Sequence, residues 1–320
     1  MEEKKGLGWK LHIVVVTLIL VFAALIMITL IKWDRSGKKV VLEDVEEGEF
    51  DYESLDYVFI VDPDTLAAHG PDDGINNILC IGDDLLIKND YVGGDSLLTI
   101  MQRGIPDSQI TNLSLVGTRI ADTQNAYLNN NVTYWQAANL YDVVHALCTR
   151  DFSLQKEALD NDAIISKEYF DTLTAVDLDT IDTVFIIYSS VDYINASNLY
   201  DPKDDYNTAT FDGALRASIK TLQSSYPHIR IVVGSPYLHG VIQGTEVLPA
   251  STVNYGNGTL SEYVMRSYNV AMECCVSYED NYFGLINEGN VNDYCNADTL
   301  LNPGIDLIGD HIVEYFKRKY

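Results

Sequence analysis

Short runs of Val, Ile and Leu, each closed by turn residues, recur along the chain with helical stretches between them. NILCIG at 77–82, ITNLSLVG at 110–117, TVFIIYS at 183–189, IRIVVGSP at 229–236 and a run opening at Phe283 read as strands. Segments near 96–103, between 134 and 174, and over 211–226, 261–275 and 304–318 read as helices. Near-continuous apolar strands separated by helices imply a parallel sheet covered on both faces. The expectation is one three-layer α/β domain over 76–320. In such a sheet, ligands gather at the carboxyl ends of the strands, where the strand order reverses.

The part before that domain has a different character. Leu11 to Ile31 is an apolar stretch with His12 near its mouth, long enough as a helix to cross the roughly 30 Å hydrocarbon core. It is too long for the apolar part of a cleavable signal, so 11–32 is expected to be an uncleaved transmembrane helix behind a short cytoplasmic tail at 1–10. Lys/Arg flank both sides, so orientation rests on the short tail, which favours a single-pass protein with its bulk outside the cytoplasm. Residues 33–75, rich in acids, Gly and Pro, read as a stalk with at most one short strand at Tyr57–Val61.

Charge narrows the partners. The net charge is −26, and residues 1–39 hold seven Lys/Arg against three acids, so the body carries about −30. A body that acidic repels polyphosphate, which excludes nucleic acid. Five cysteines are too few for a disulfide framework. Cys80 and Cys148 fall at buried positions, while Cys274, Cys275 and Cys295 form a plausible bridging set.

Four strand ends carry the candidate site: Gly82-Asp83-Asp84-Leu85, the stretch Asn112–Gly117, Tyr188-Ser189-Ser190-Val191-Asp192, and Asp298–Gly304 before the last helix. Their order and spacing resemble the SGNH (GDSL) hydrolases, flavodoxin-like αβα esterases, lipases, carbohydrate deacetylases and acyltransferases. The stretch from Asn207 to Tyr237, with its Gly-Ala-Leu-Arg helix and Tyr-Pro, is similar to a bacterial branch of that family. The resemblance implies a nucleophile at Asp84, oxyanion donors at Gly117 and Val191, an Asp at Asp298, and a His at Thr299, Leu300 or Leu301 according to where one gap falls, with Leu301 taken as that position. Three of those positions depart from the pattern: Asp84 replaces Ser, Val191 replaces Asn and Leu301 replaces His.

Acyl transfer needs a nucleophile, a base that takes its proton and preorganised donors for the oxyanion. Val donates nothing from its side chain and Leu accepts no proton, so the conventional triad is expected to be lost. The expected role is a binding or accessory module at cell-surface polysaccharide or acylated glycan. The alternative is an active carbohydrate esterase or acyltransferase with a rearranged site. A literal Gly-Asp-Ser-Leu-Leu at 94–98 supplies Ser96, although Ser96 also fits a helix N-cap. His239, just past the fourth strand, is the one histidine placed to replace the base. Asp83, Asp84 and Asp192 at neighbouring strand ends are weak candidates for a cation. No cofactor is implied.

Overall fold

The chain divides into two compact units, Met1–Asp51 and Tyr52–Tyr320. The structure, a computed structural model, describes residues 54–71, 73–87, 94–124 and 134–318. The apolar segment 11–32 lies outside the described residues, and among these no helix is long and apolar enough to cross a membrane.

In the second unit, α1 (Pro63–His69) precedes β1 (Asn76–Gly82), and α2 (Leu97–Gly104) leads to β2 (Ser108–Ser114). Three helices follow, α3 (Leu140–Thr149), α4 (Ser153–Asp160) and α5 (Lys167–Ala175), before β3 (Thr183–Ile187). The short α6 (Val191–Ile194) and the long α7 (Phe211–Ser225) carry the chain to β4 (Arg230–Gly234) and to the hairpin β5 (Gly240–Gln243) and β6 (Glu246–Pro249). Then come α8 (Leu260–Cys274), β7 (Ser277–Glu279), α9 (Val291–Tyr294), the small hairpin β8 (Cys295–Asn296) and β9 (Thr299–Leu300), and α10 (Asn302–Lys317).

The central sheet has five parallel strands in the order β2-β1-β3-β4-β7. Every residue of β3 and β4 is buried, as strands covered on both faces must be. The helices pack in two groups, α2 on α10, and α3, α7 and α8 side by side. The chain reverses direction across the sheet between β1 and β3. At that point Gly82 pairs with Ser114 on one side and Ile187 on the other. A Cβ on Gly82 would collide with the Ile187 carbonyl oxygen, so only glycine lets the two strands close here.

Three expectations are corrected. The edge strand is Ser277–Glu279, with fully buried Tyr278; the run opening at Phe283 is irregular and turns at Gly284, whose φ is 82°. The end of the stretch read as stalk belongs to the domain, since Tyr57 and Tyr278 exchange backbone hydrogen bonds of 2.8 Å each way. Leu55 N also donates to Asp280 (2.7 Å), and the Tyr315 hydroxyl donates to the Tyr57 carbonyl (2.8 Å). Finally, all five cysteines are free thiols. Cys274 is buried in α8 while its neighbour Cys275 points outward, and Cys295 is buried with its Sγ 3.7 Å from the Leu238 carbonyl.

Candidate functional site

A cleft of about 420 Å³ opens at the carboxyl ends of β1 to β4, where the strand order reverses. Its walls come from Asp84 and Leu85 after β1, Gly117 after β2, Ser189, Ser190 and Val191 after β3, and Tyr237 and His239 after β4. The β5–β6 hairpin adds Val241 and Ile242, and the segment before α10 adds Asp298, Thr299 and Leu300. Gly117 turns there with a φ of 83°, a conformation that side chains disfavour.

The family-like positions divide sharply. Asp84 is half-buried and faces the cleft; Val191 puts a branched hydrocarbon where the resemblance implies an amide. Asp298 lines the cleft, but Leu301 does not: it sits at the N-cap of α10, and Thr299 and Leu300 reach the cleft in its place. Ser96 is no cleft residue either. It caps α2, accepting from Thr99 N at 3.2 Å.

The aspartates do not converge. Asp83 is fully buried beneath the floor; one oxygen accepts from Leu85 N (3.0 Å) and the other from Ser189 N (2.9 Å) and the Ser189 hydroxyl. Burial, reinforced by the charge of Asp84, pushes its carboxyl up to about 7. Asp192 is also buried and accepts from Ile120 N (2.8 Å) and Ala121 N (3.2 Å), tying the loop after β2 to the turn after β3. Burial raises its carboxyl, against the opposing charge of Arg119. Both spend their oxygens on the protein's own donors, so the expected acidic cleft reduces to Asp84 and Asp298. Among the described residues, no three His, Cys, Asp or Glu side chains are placed to hold a metal ion.

His239 is where the sequence placed it, yet its partner is neither Ser96 nor Asp84. Its Nε2 lies 2.7 Å from Ser190 Oγ and its Nδ1 2.8 Å from the Gly240 carbonyl oxygen. Ser190 stands immediately before Val191, the implied oxyanion position, at a place to which the resemblance assigns no role. The available signal was a hydroxyl at a strand end beside the reversal point, one strand from a histidine at the same height.

No family model matches the chain, and no curated protein matches it in sequence. Its structure is similar to solved ones. One, 14% identical with a TM-score of 0.51, matches across 76% of this chain and 96% of its own. Also similar are a possible lipase from Chitinophaga pinensis (12% identity, TM-score 0.47, 76% and 98% covered) and a lipase/acylhydrolase from Enterococcus faecalis (13%, 0.41, 75% and 94%). The chain shares with the first of these a fold built on a parallel sheet with helices around it. At such identities the likeness concerns the fold alone. Within this domain, Gly82, Asp83, Gly117 and Asp192 act as parts of the scaffold: two tight backbone positions and two carboxylates that pin loops.

Proposed function

We propose that this protein is a membrane-anchored, extracytoplasmic SGNH-like module whose cleft binds a neutral, acyl-bearing glycan at the cell surface without the family's conventional triad. The observation that carries this reading is a cleft in which Asp84 and Val191 stand where the resemblance implies nucleophile and oxyanion donor, while Leu301, at the implied base position, lies outside it at the N-cap of α10. Its wall mixes tyrosine rings, Tyr237 and Tyr255, with aliphatic side chains, surfaces that suit sugar rings and acyl groups. Asp84 and Asp298 at the rim disfavour anionic ligands, so neutral polysaccharides fit better than acidic ones.

The test is binding by the full chain in detergent to a panel of neutral cell-wall and capsular polysaccharides, each before and after chemical deacylation. Binding that weakens at least tenfold on deacylation is expected, as is loss of affinity in Tyr255→Ala. Equal binding to acidic and neutral polymers, or none to either, overturns the reading.

A further inference from the structure

The Ser190–His239 contact has a defined polarity. The Gly240 carbonyl can only accept, so His239 Nδ1 carries the hydrogen and donates it across 2.8 Å. Nε2 is then a bare lone pair, and the Ser190 hydroxyl donates to it across 2.7 Å. Burial lowers the pKa of the ring, which keeps that lone pair available near neutrality. Tyr237 and Tyr193 wall the imidazole, with ring centroids at 5.9 and 6.3 Å, so it is held in place as well as in tautomer. His239 is 1% exposed and Ser190 7%, yet both contribute to the surface of the cleft. A serine bonded to a base, a base bonded to an orienting group, and a cavity in front of the serine are the geometric requirements for an activated nucleophile.

We propose that Ser190 and His239 form a nucleophile–base pair that gives the cleft acyl-transfer chemistry on neutral esters, using none of the three family positions. Ser190 Oγ adds to the ester carbonyl carbon while its proton passes to His239 Nε2. The ester C–O bond then breaks, the departing alcohol oxygen takes that proton, and the acyl group stays on Ser190. Water, or a hydroxyl of an acceptor sugar, adds to the acyl carbon, gives its proton to Nε2, and Ser190 Oγ leaves with it. The sum is ester plus water to acid plus alcohol, or transfer of the acyl group between hydroxyls. Ile194, Val241, Ile242, Leu300 and Ile305 line the same cleft, so the acyl group taken is a small apolar one. Val191 supplies no side-chain donor to the oxyanion, a loss of about 10²–10³ in rate in serine hydrolases. Turnover is accordingly slow, and covalent capture is the sharper readout.

This inference rests on the reading of the cleft as an acyl-ligand site. The full chain in detergent is treated with a fluorophosphonate and, separately, with p-nitrophenyl butyrate, and the adducts are mapped by peptide mass spectrometry. A single adduct on Ser190 is expected from each probe. Labelling disappears in Ser190→Ala, falls at least tenfold in His239→Gln, and is unchanged in Ser96→Ala. The wild-type peptide map needs no variant, so a poorly folding His239→Gln does not blunt the test. No adduct on Ser190, or an adduct on another serine, overturns the pair; so does undiminished labelling in a folded His239→Gln. Glycan binding that persists without an adduct condemns the pair alone. An adduct on Ser190 in a protein that binds no glycan condemns the glycan reading alone.

Discussion

At the scale of single residues, the site is built from side chains whose roles are opposite to those their positions suggest. Asp83 looks like a cleft carboxylate and is a buried strut; Ser190 looks like filler and faces the one histidine that lines the cleft among the described residues. Asp83 also sets a pH dependence. Burial holds its folded carboxyl at about 7, well above the ordinary aspartate range, so the folded state binds the extra proton. Stability is therefore highest at and below about pH 4, falls as pH rises toward 7 and levels off above. Denaturant titrations at pH 5 and pH 8 should differ on this account by an amount on the order of 2–4 kcal/mol. In Asp83→Asn that difference should shrink, while the lost acceptor for Leu85 N lowers stability at both pH values. The kept Gly-Asp of this turn was legible in the sequence. Its burial was not, because which way a strand-end carboxylate turns is decided by the donors of a segment 106 residues away, at Ser189.

At the scale of elements, most of the sheet could be read directly, since fully buried strands leave dense apolar runs. The first four strands and the long helices fall within a few residues of their expected limits. The edge strand was misplaced because Ser-Tyr-Glu has no apolar run; it is a strand only through its pairing with β4 and the chain around Tyr57. Two predictions belong here. Gly82→Ala forces a methyl group against the Ile187 carbonyl and so wedges β1 from β3. It should cost about 3 kcal/mol and lower the thermal midpoint by several degrees, as read by circular dichroism. The second concerns the first turn of α3, where the Asp142 carboxyl is bonded to that of Asp122. Burial, then the neighbouring charge, pushes Asp142 up to about 7, so the two share a proton. Asp142→Asn brings its own N–H and should stabilise the protein at pH 8 by about 1 kcal/mol, with little change at pH 5.

At the scale of the whole molecule, the net charge of −26 proves to be a property of the surface and interior more than of the cleft. A cluster of acids is used instead to clasp the chain around Leu55–Phe59 to the sheet edge. Asp56 accepts from Asp280 N (2.8 Å) and meets Arg318 (2.7 Å) and His311 (3.4 Å). Burial pushes the Asp56 carboxyl up, but the hydrogen bond from His311 and the amide of Asp280 outweigh it and hold it below its usual value. Asp56→Ala should raise amide exchange at Leu55, Tyr57 and Phe59 at least tenfold while β1 and β3 stay protected, as hydrogen-exchange mass spectrometry would show. None of this clasp was visible in an acidic, Pro-bearing stretch with no period, since its partners come from the far end of the chain. The same dependence on main chain governs His239. The group that sets its ring is the carbonyl of Gly240, whose own N–H donates to Ala297 O at 3.0 Å. A carboxylate in that office would let go on protonation and could be deleted by one codon change. A peptide oxygen does neither, so the imidazole keeps its bearing in acid, and drift of the surrounding side chains leaves the hairpin to hold it.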